Sequence, residues 1–321
     1  MYLIRGQHNL DFFKSQNFKK EPIHGTIGNF DGLHLGHQAI LKTIKDSAIS
    51  SNGKTVVFFT EPHAAEFFAS MHSTPNTAPP RLCPWREKFK LLDSFGIDFA
   101  FFLKFNNSLR QMTPEVFINS ILKPMNLSSL TIGDDFRFGI NREGDFDLLK
   151  RWGIENKIDI TKTETFKFLD ERVSSTRIRK AMIDSNFDLA CKLLGRPYTF
   201  SGKIVHGQHL GRTIGVPTAN LWLPKQKLPI SGVYAVRCRL GEKLLKGIAN
   251  MGTRPTVGGT LPVLEVHLFD FSQQIYSQRL EVEFKHKIRK EKKFENLDML
   301  KSQINKDIAL AKTLLQDQYD T

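Results

Sequence analysis

The chain has 321 residues, 40% hydrophobic and 25% charged, which is the make-up of a globular protein with room for two ordinary domains and excludes a disordered or fibrous one. Its net charge of +13 points to polyanions or phosphorylated small molecules as partners, while no run of 18 apolar residues exists to span a membrane. Three scattered cysteines (Cys83, Cys191 and Cys238) exclude a CxxC metal or redox site and fit a reducing cytoplasm.

The N-terminus, M-Y-L-I-R-G-Q-H-N-L-D, has no basic segment followed by an apolar one, so no signal peptide is expected. His24–Phe30 reads as a strand and Gly36–Ala48 as a helix with Ala39, Ile40, Ile44 and Ala48 at helical spacing. The continuous apolar run T-V-V-F-F-T (55–60) predicts a strand buried on both faces. S-T-P-N-T-A-P-P (73–80) reads as a flexible loop, residues 86–95 as a helix and 98–105 as another buried strand. Thr113-Pro114-Glu115 is a cap, a proline and a first-turn acid opening a helix to Leu122. Residues 129–133 form a strand, 147–153 a helix stopping at Gly153, and 157–163 a strand. The alternation predicts an α/β fold with a doubly wound, mostly parallel sheet, whose ligands sit at the carboxyl ends of its strands.

A helix over roughly 175–194 holds the boundary, giving domains 1–184 and 185–321. Beyond it, closely spaced strand patterns (T-F-S-G-K-I-V-H-G, G-V-Y-A-V-R-C-R-L, L-L-K-G-I-A-N-M, V-L-E-V-H-L-F-D-F and R-L-E-V-E-F-K-H-K-I) predict a small β-barrel. A terminal amphipathic helix follows, with Leu297, Leu300, Ile304, Ile308, Ala311 and Leu315 on one face. The basic run F-K-H-K-I-R-K-E-K-K-F (284–294) reads first as a solvated strand-to-loop surface and second as an anion site.

Chemistry concentrates first in I-G-N-F-D-G-L-H-L-G-H (27–37), between the first strand of the sheet and its helix. Gly28 and Gly32 let the backbone approach a ligand, and the helix N-terminus offers free N–H groups to an anion. His34 and His37, three apart, can face one spot. They can be metal ligands, structurally satisfied histidines or phosphate-handling groups; the absent H-E-x-x-H spacing weighs against zinc. In the barrel half, Leu264, Val266 and Leu268 alternate with Glu265 and His267, which leaves Glu265 open as a solvent-facing or functional residue.

His34-Leu35-Gly36-His37 resembles the H-x-G-H signature of the nucleotidylyltransferase superfamily, and Ser174-Ser175-Thr176-Arg177-Ile178-Arg179 resembles its second signature; alone, that block reads as a helix cap. G-R-T-I-G-V-P-T-A-N-L (211–221), A-N-M-G-T-R-P-T-V-G-G (249–259) and L-E-V-H-L-F-D-F (264–271) resemble the riboflavin kinase domain. The five blocks run in the order of the bacterial bifunctional riboflavin kinase/FAD synthetase family, and the resemblance covers essentially the whole chain. It implies a cytoplasmic enzyme with a Rossmann-like FMN adenylyltransferase domain (1–184) and a riboflavin kinase domain (185–321). His34, His37 and Glu265 would be catalytic. Gly28, Phe30, Asp31, Gly36, Asp135, Ser175, Thr176 and Arg179 would bind ATP for adenylyl transfer. Gly207, Gly211, Gly215, Thr218 and Asn220 would wrap the kinase's ATP, with Thr218 and Asn220 as Mg²⁺ ligands. Glu61, Pro62, His63 and Arg254 would contact flavin, Arg254 alternatively bracing its own loop. Riboflavin, FMN, FAD and ATP would be substrates or products, with delivery of FMN and FAD to apo-flavoproteins.

Two positions depart from the family pattern. Ala64 stands where a second proline is common, which predicts a looser loop, and Asp135 stands where some relatives carry asparagine. Two rival readings are a nucleotidylyltransferase for another substrate with a regulatory barrel, and a basic nucleic-acid binder. The second needs clustered Lys/Arg with interleaved aromatics; only 284–294 approaches this, without Tyr or Trp, so neither a nucleic-acid nor a membrane partner is expected.

Overall fold

The computed structural model describes residues 1–6, 9, 21–72, 77–207, 211, 215–223, 227–256 and 259–316, with the side chains of all of these except 254–261. The loop expected at 73–80 therefore lies partly outside the described residues. Two compact units result, Met1–Pro79 with Trp85–Ser174, and Pro80–Pro84 with Ser175–Thr321.

In the first unit, β1 (Tyr2–Arg5), β2 (Ile23–Ile27), β3 (Lys54–Glu61), β4 (Phe99–Lys104), β5 (Ser129–Ile132) and β6 (Asp159–Lys162) form one parallel sheet in the order β1-β4-β3-β2-β5-β6. The apolar runs are buried on both faces as predicted. Val56, Phe58, Phe99 and Phe101 join one core cluster, and Val57, Phe59 and Ala100 the other. α1 (Leu35–Ser50) and α3 (Trp85–Ser94) cover the second face through Leu41, Ile44 and Leu92, while α6 (Phe146–Asn156) covers the first through Leu149 and Trp152. Between β3 and α3 lies α2 (Ala64–Met71); after β4 come the short α4 (Asn107–Arg110) and α5 (Pro114–Phe117). A two-strand hairpin, β7 (Lys167–Phe168) with β8 (Glu171–Arg172), ends the unit. The strand order turns back between β2 and β5, so the carboxyl end of β2 is the switch point at which such sheets bind ligands.

The helix expected from Thr113 to Leu122 is present: Thr113 caps α5, accepting the Val116 N–H at 3.3 Å, and after Phe117 the helix widens into a π turn over Ile118–Leu122. The helix expected at 147–153 needs correcting. Gly153 does not stop α6. The helix continues to Asn156, and Lys157 ends it in the left-handed region at φ 57°. The glycine instead permits close packing on the strand that follows, because a Cβ there would meet Ile160 Cγ1 and lie 2.6 Å from Ile158 O.

In the second unit the expected single helix over 175–194 is two, α7 (Ser175–Ile183) and α8 (Phe187–Leu194). Ser185 breaks them at φ 62°, and Asn186 caps α8 by accepting the Leu189 N–H at 3.0 Å. β9 (Thr199–Val205), β10 (Ala219–Leu221), β11 (Gly232–Leu240), β12 (Lys243–Thr256), β13 (Gly259–Leu268) and β14 (Arg279–Arg289) close into an antiparallel barrel ordered β10-β13-β12-β11-β14-β9. Alternate residues fill it, among them Tyr234, Val236, Ala249, Met251, Leu264, Val266, Val282 and Phe284.

α9 (Leu297–Leu314) packs Ala311, with Leu315 just beyond it, against Val233, Ala235, Ile248 and Phe269. Leu297, expected on that stripe, is 59% exposed in the first turn. The buried face instead contains Asp307, which accepts from Arg289 Nε of β14 and from Gln303 Nε2, both at 2.8 Å.

Glycine-to-alanine inside a helix ordinarily gains about 1 kcal/mol. At Gly153 the clash reverses the sign, and Gly153→Ala is expected to destabilise by about 1–3 kcal/mol in urea unfolding. Asp307→Ala leaves a largely buried guanidinium without its carboxylate and is expected to cost about 3 kcal/mol by the same measurement.

Candidate active sites

At the end of β2, Gly28 continues the ladder by donating to Phe58 O at 3.1 Å. The chain then coils through Phe30 (φ 47°), Gly32 (φ 79°) and Leu33 (φ 40°); two non-glycine residues in the left-handed region are strain held by burial, since Phe30 is 1% and Leu33 0% exposed. Asp31 is buried between them. The coil delivers His34 to the N-cap of α1, where its Nδ1 accepts the His37 N–H at 3.3 Å. With Nδ1 as acceptor, the neutral ring carries its proton on Nε2, a donor directed away from the cap.

The His37 ring stacks on His34 at 3.7 Å between centroids and tilts against Phe30 at 5.0 Å. Its Nδ1 is buried and has no hydrogen-bond partner among the described residues. Burial above all holds His37 well below the usual imidazole range, and its basic neighbours His34, Lys88 and His63 push the same way. Lys88, on α3, is fully buried; its Nζ donates to Asn29 O at 2.6 Å and lies 4.9 Å from the centre of the Phe59 ring. Three imidazoles and an ammonium thus gather where a helix starts, which is what an anion requires.

His63 caps α2 just after the cis Glu61–Pro62 peptide, and its N–H donates to Glu66 Oε2 at 3.1 Å. Ala64 therefore opens a capped helix rather than a loosened loop, because the first helical position needs no proline. Gly36 is tight: a Cβ there would lie 3.2 Å from His34 Cε1 and 3.6 Å from Phe166 Cβ. Asp135, beyond β5, is exposed and paired with Arg172 at 3.1 Å; Arg172 also binds Asp134 Oδ1 at 2.8 Å, and Asp134 accepts from Thr165. Ser175 and Thr176 occupy the first turn of α7, in the second unit, where Arg179 Nε donates to Pro80 O at 2.7 Å.

In the barrel, Gly207, Gly211, Thr218 and Asn220 line one cavity of about 440 Å³, closed by Phe271–Tyr276. A Cβ at Gly207 would strike the Asn220 side chain, and one at Gly211 the Val216 carbonyl. Gly215 (φ 79°) is not among the lining residues. Glu265, at the centre of β13, is not in the lining either, but pairs in register with Asn220 of β10. It is half-buried between the inward Leu264 and Val266, so it stands on the outer face as its alternation predicts. Thr218 and Asn220 make no side-chain hydrogen bond among the described residues, which leaves two neutral oxygens facing the cavity, a donor set that suits Mg²⁺ with phosphate. No cluster of three or more His, Cys, Asp or Glu able to hold a metal occurs among the described residues. The Arg254 side chain and residues 212–214 and 257–258 of the sequence blocks lie outside what is described.

Lys88, Asn29 and Phe166, and in the barrel Tyr276 stacked on His206 at 3.9 Å, escaped the sequence reading. Only Lys88 left a signal: it occupies the buried position one turn before Leu92, a lysine on an apolar stripe.

Family models for FAD synthetase and riboflavin kinase match residues 17–177 and 194–315. The chain is similar to the bifunctional riboflavin kinase/FMN adenylyltransferase of Escherichia coli K12, 45% identical over 312 residues and 96% of each chain. It is also similar to the proteins of that name from Haemophilus influenzae (42%, 97% of this chain and 98% of the other) and Pseudomonas fluorescens (41%, 98% of each). Among solved structures it is similar to the crystal structure of a macrolide-efflux protein from Streptococcus pneumoniae, with a TM-score of 0.80 at 27% identity, covering 99% of this chain and 100% of that one. Among the described residues no helix is long and apolar enough to cross a membrane.

His37 and the buried His24, held between Ser129 Oγ and Ser51 Oγ, both have folded values below 6.5. The unfolded chain then binds more protons below that pH, so their stabilisation is complete above 6.5 and is lost as pH falls through the folded values. Urea midpoints are expected to drop between about pH 7 and 5, and His37→Gln to flatten that dependence.

Proposed function

The chain belongs to the bifunctional riboflavin kinase/FMN adenylyltransferase family, phosphorylating riboflavin to FMN and adenylylating FMN to FAD with ATP, and we propose how its residues divide that chemistry. Residues 185–321 perform the kinase step and residues 1–184 the adenylyl transfer. The carrying observation is the stacked His34–His37 pair at the switch point of the parallel sheet, with His37 held below the usual imidazole range by burial.

In the kinase step Glu265 accepts the proton of the ribityl 5′-hydroxyl. The hydroxyl oxygen bonds to the γ-phosphorus as the bond to the β–γ bridging oxygen breaks, and ADP leaves. Gly207, Gly211 and Gly215 give backbone access to the phosphates. Thr218 and Asn220 would hold Mg²⁺, which supplies charge neutralisation at the ATP phosphates when bound.

In the second step the FMN phosphate attacks the α-phosphorus of another ATP and pyrophosphate departs. That nucleophile is already ionised, so positioning and charge stabilisation suffice. His34 donates from Nε2 and His37 from its ring to the phosphoryl oxygens, beside Gly28, Phe30, Asp31 and Gly36. Ser175, Thr176 and Arg179 bind the pyrophosphate end, with Asp135 toward the nucleotide. Glu61, Pro62, His63 and, in the kinase half, Arg254 contact flavin. The enzyme works in the cytoplasm and hands FMN and FAD to apo-flavoproteins.

Incubation with riboflavin, ATP and Mg²⁺ is expected to yield FMN and then FAD on a chromatographic time course, and chelation of Mg²⁺ to stop FMN formation. Glu265→Gln should abolish FMN formation while still converting supplied FMN to FAD. His37→Ala should keep FMN formation and lose about 10²–10³ in FAD formation. A folded variant lacking both activities would refute separate sites.

A further inference from the structure

β13 lies between β10 and β12, and at its centre Glu265 pairs with Asn220 on one side and Asn250 on the other. Residues directly opposite on adjacent strands share a face with Cβ atoms about 4.5–5.5 Å apart. One carboxylate therefore stands between two carboxamides. Neither carboxamide makes a side-chain hydrogen bond among the described residues. Asn220 lines the cavity bounded by the glycine-rich segment; Glu265 and Asn250 do not.

A general base in phosphoryl transfer must touch the acceptor hydroxyl, which in turn must face the phosphate donor. The donor's cavity occupies the Asn220 side, so the acceptor approaches Glu265 from the β12 side. Two neighbours of Asn250 on the same face of β12 narrow its path. Ile248 is covered by the cluster it forms with Ala311 and Leu315. Gly252, in the other direction, has no side chain: a Cβ there would lie 3.5 Å from Asn250 Nδ2 and would strike Glu291 Oε1. The absent side chain leaves room for the Glu291 carboxylate to come in beside the carboxamide.

We propose that Asn250 binds the polyol chain of the acceptor, its carboxamide holding the hydroxyls that lead to the one Glu265 deprotonates. A carboxamide both donates and accepts, which matches a chain of alcohols that do the same. The assignment rests on Glu265 being the base, and it makes Asn250 the residue that distinguishes a flavin carrying a polyol from the bare ring.

The test uses the full chain in steady-state kinase assays, with riboflavin as acceptor and lumiflavin, which lacks the polyol, as competitive inhibitor. Asn250→Ala is expected to raise the riboflavin KM about tenfold or more, the effect of losing one or two hydrogen bonds. The lumiflavin inhibition constant and the ATP KM should stay within about twofold, since neither ligand has a group for Asn250 to hold. Asn250→Ser, which keeps a hydroxyl, should lie between wild type and Asn250→Ala. Undiminished conversion of FMN to FAD and an unchanged melt establish folding. The proposal is overturned if lumiflavin weakens in step with riboflavin, or if the ATP KM rises instead. Failure of the underlying reading is separable: Glu265→Gln would then still make FMN, whatever Asn250→Ala does to the riboflavin KM.

Discussion

Two imidazole rings stacked 3.7 Å apart, with a buried lysine against the same loop, cannot all hold positive charge unless an anion lies among them. The first unit is organised around that restriction. Burial keeps His37 neutral, the cap of α1 consumes Nδ1 of His34 and leaves Nε2 as its donor, and Lys88 pins the loop by its grip on Asn29. The strained φ values of Phe30 and Leu33 are tolerated because both side chains are sealed in the core. Charge is thereby withheld from the His37 ring.

The barrel solves a different problem, that of presenting polar groups on a scaffold whose inside must be apolar. Its interior is packed by every second residue, which forces the others outward. Antiparallel register then lines up the outward residues of neighbouring strands, so chemistry on β10, β12 and β13 falls into rows. A row of side chains on three hydrogen-bonded strands is rigid in a way that a loop is not.

The sequence made the layered architecture legible because buried parallel strands and alternating barrel strands write their periods directly, as in T-V-V-F-F-T and L-E-V-H-L. The stacked histidines were visible as a spacing, and Glu265 as the polar half of an alternation. What stayed hidden depended on contacts distant in the chain. Lys88 meets Asn29 across 59 residues, and Asn250 acquires meaning only through register with Glu265. β10, three residues long, is too short to show a period. Gly153 was misread as a stop because a glycine that ends a helix and one that lets a strand press against it look alike until Ile160 is placed. Asp307 carried no signal of its own in the sequence, and only its pairing with Arg289 explains a carboxylate on a buried face.

The five residues Pro80–Pro84 sit in sequence inside the first unit but in space belong to the second, with Arg81 N–H donating to Lys227 O at 2.8 Å and Pro80 O accepting from Arg179. No single scission of the polypeptide therefore releases both units whole. A gene fragment beginning at Ser175 would leave the barrel half without this insert and Arg179 without its acceptor. Expressing the halves separately would call for supplying the strap in trans or grafting it on.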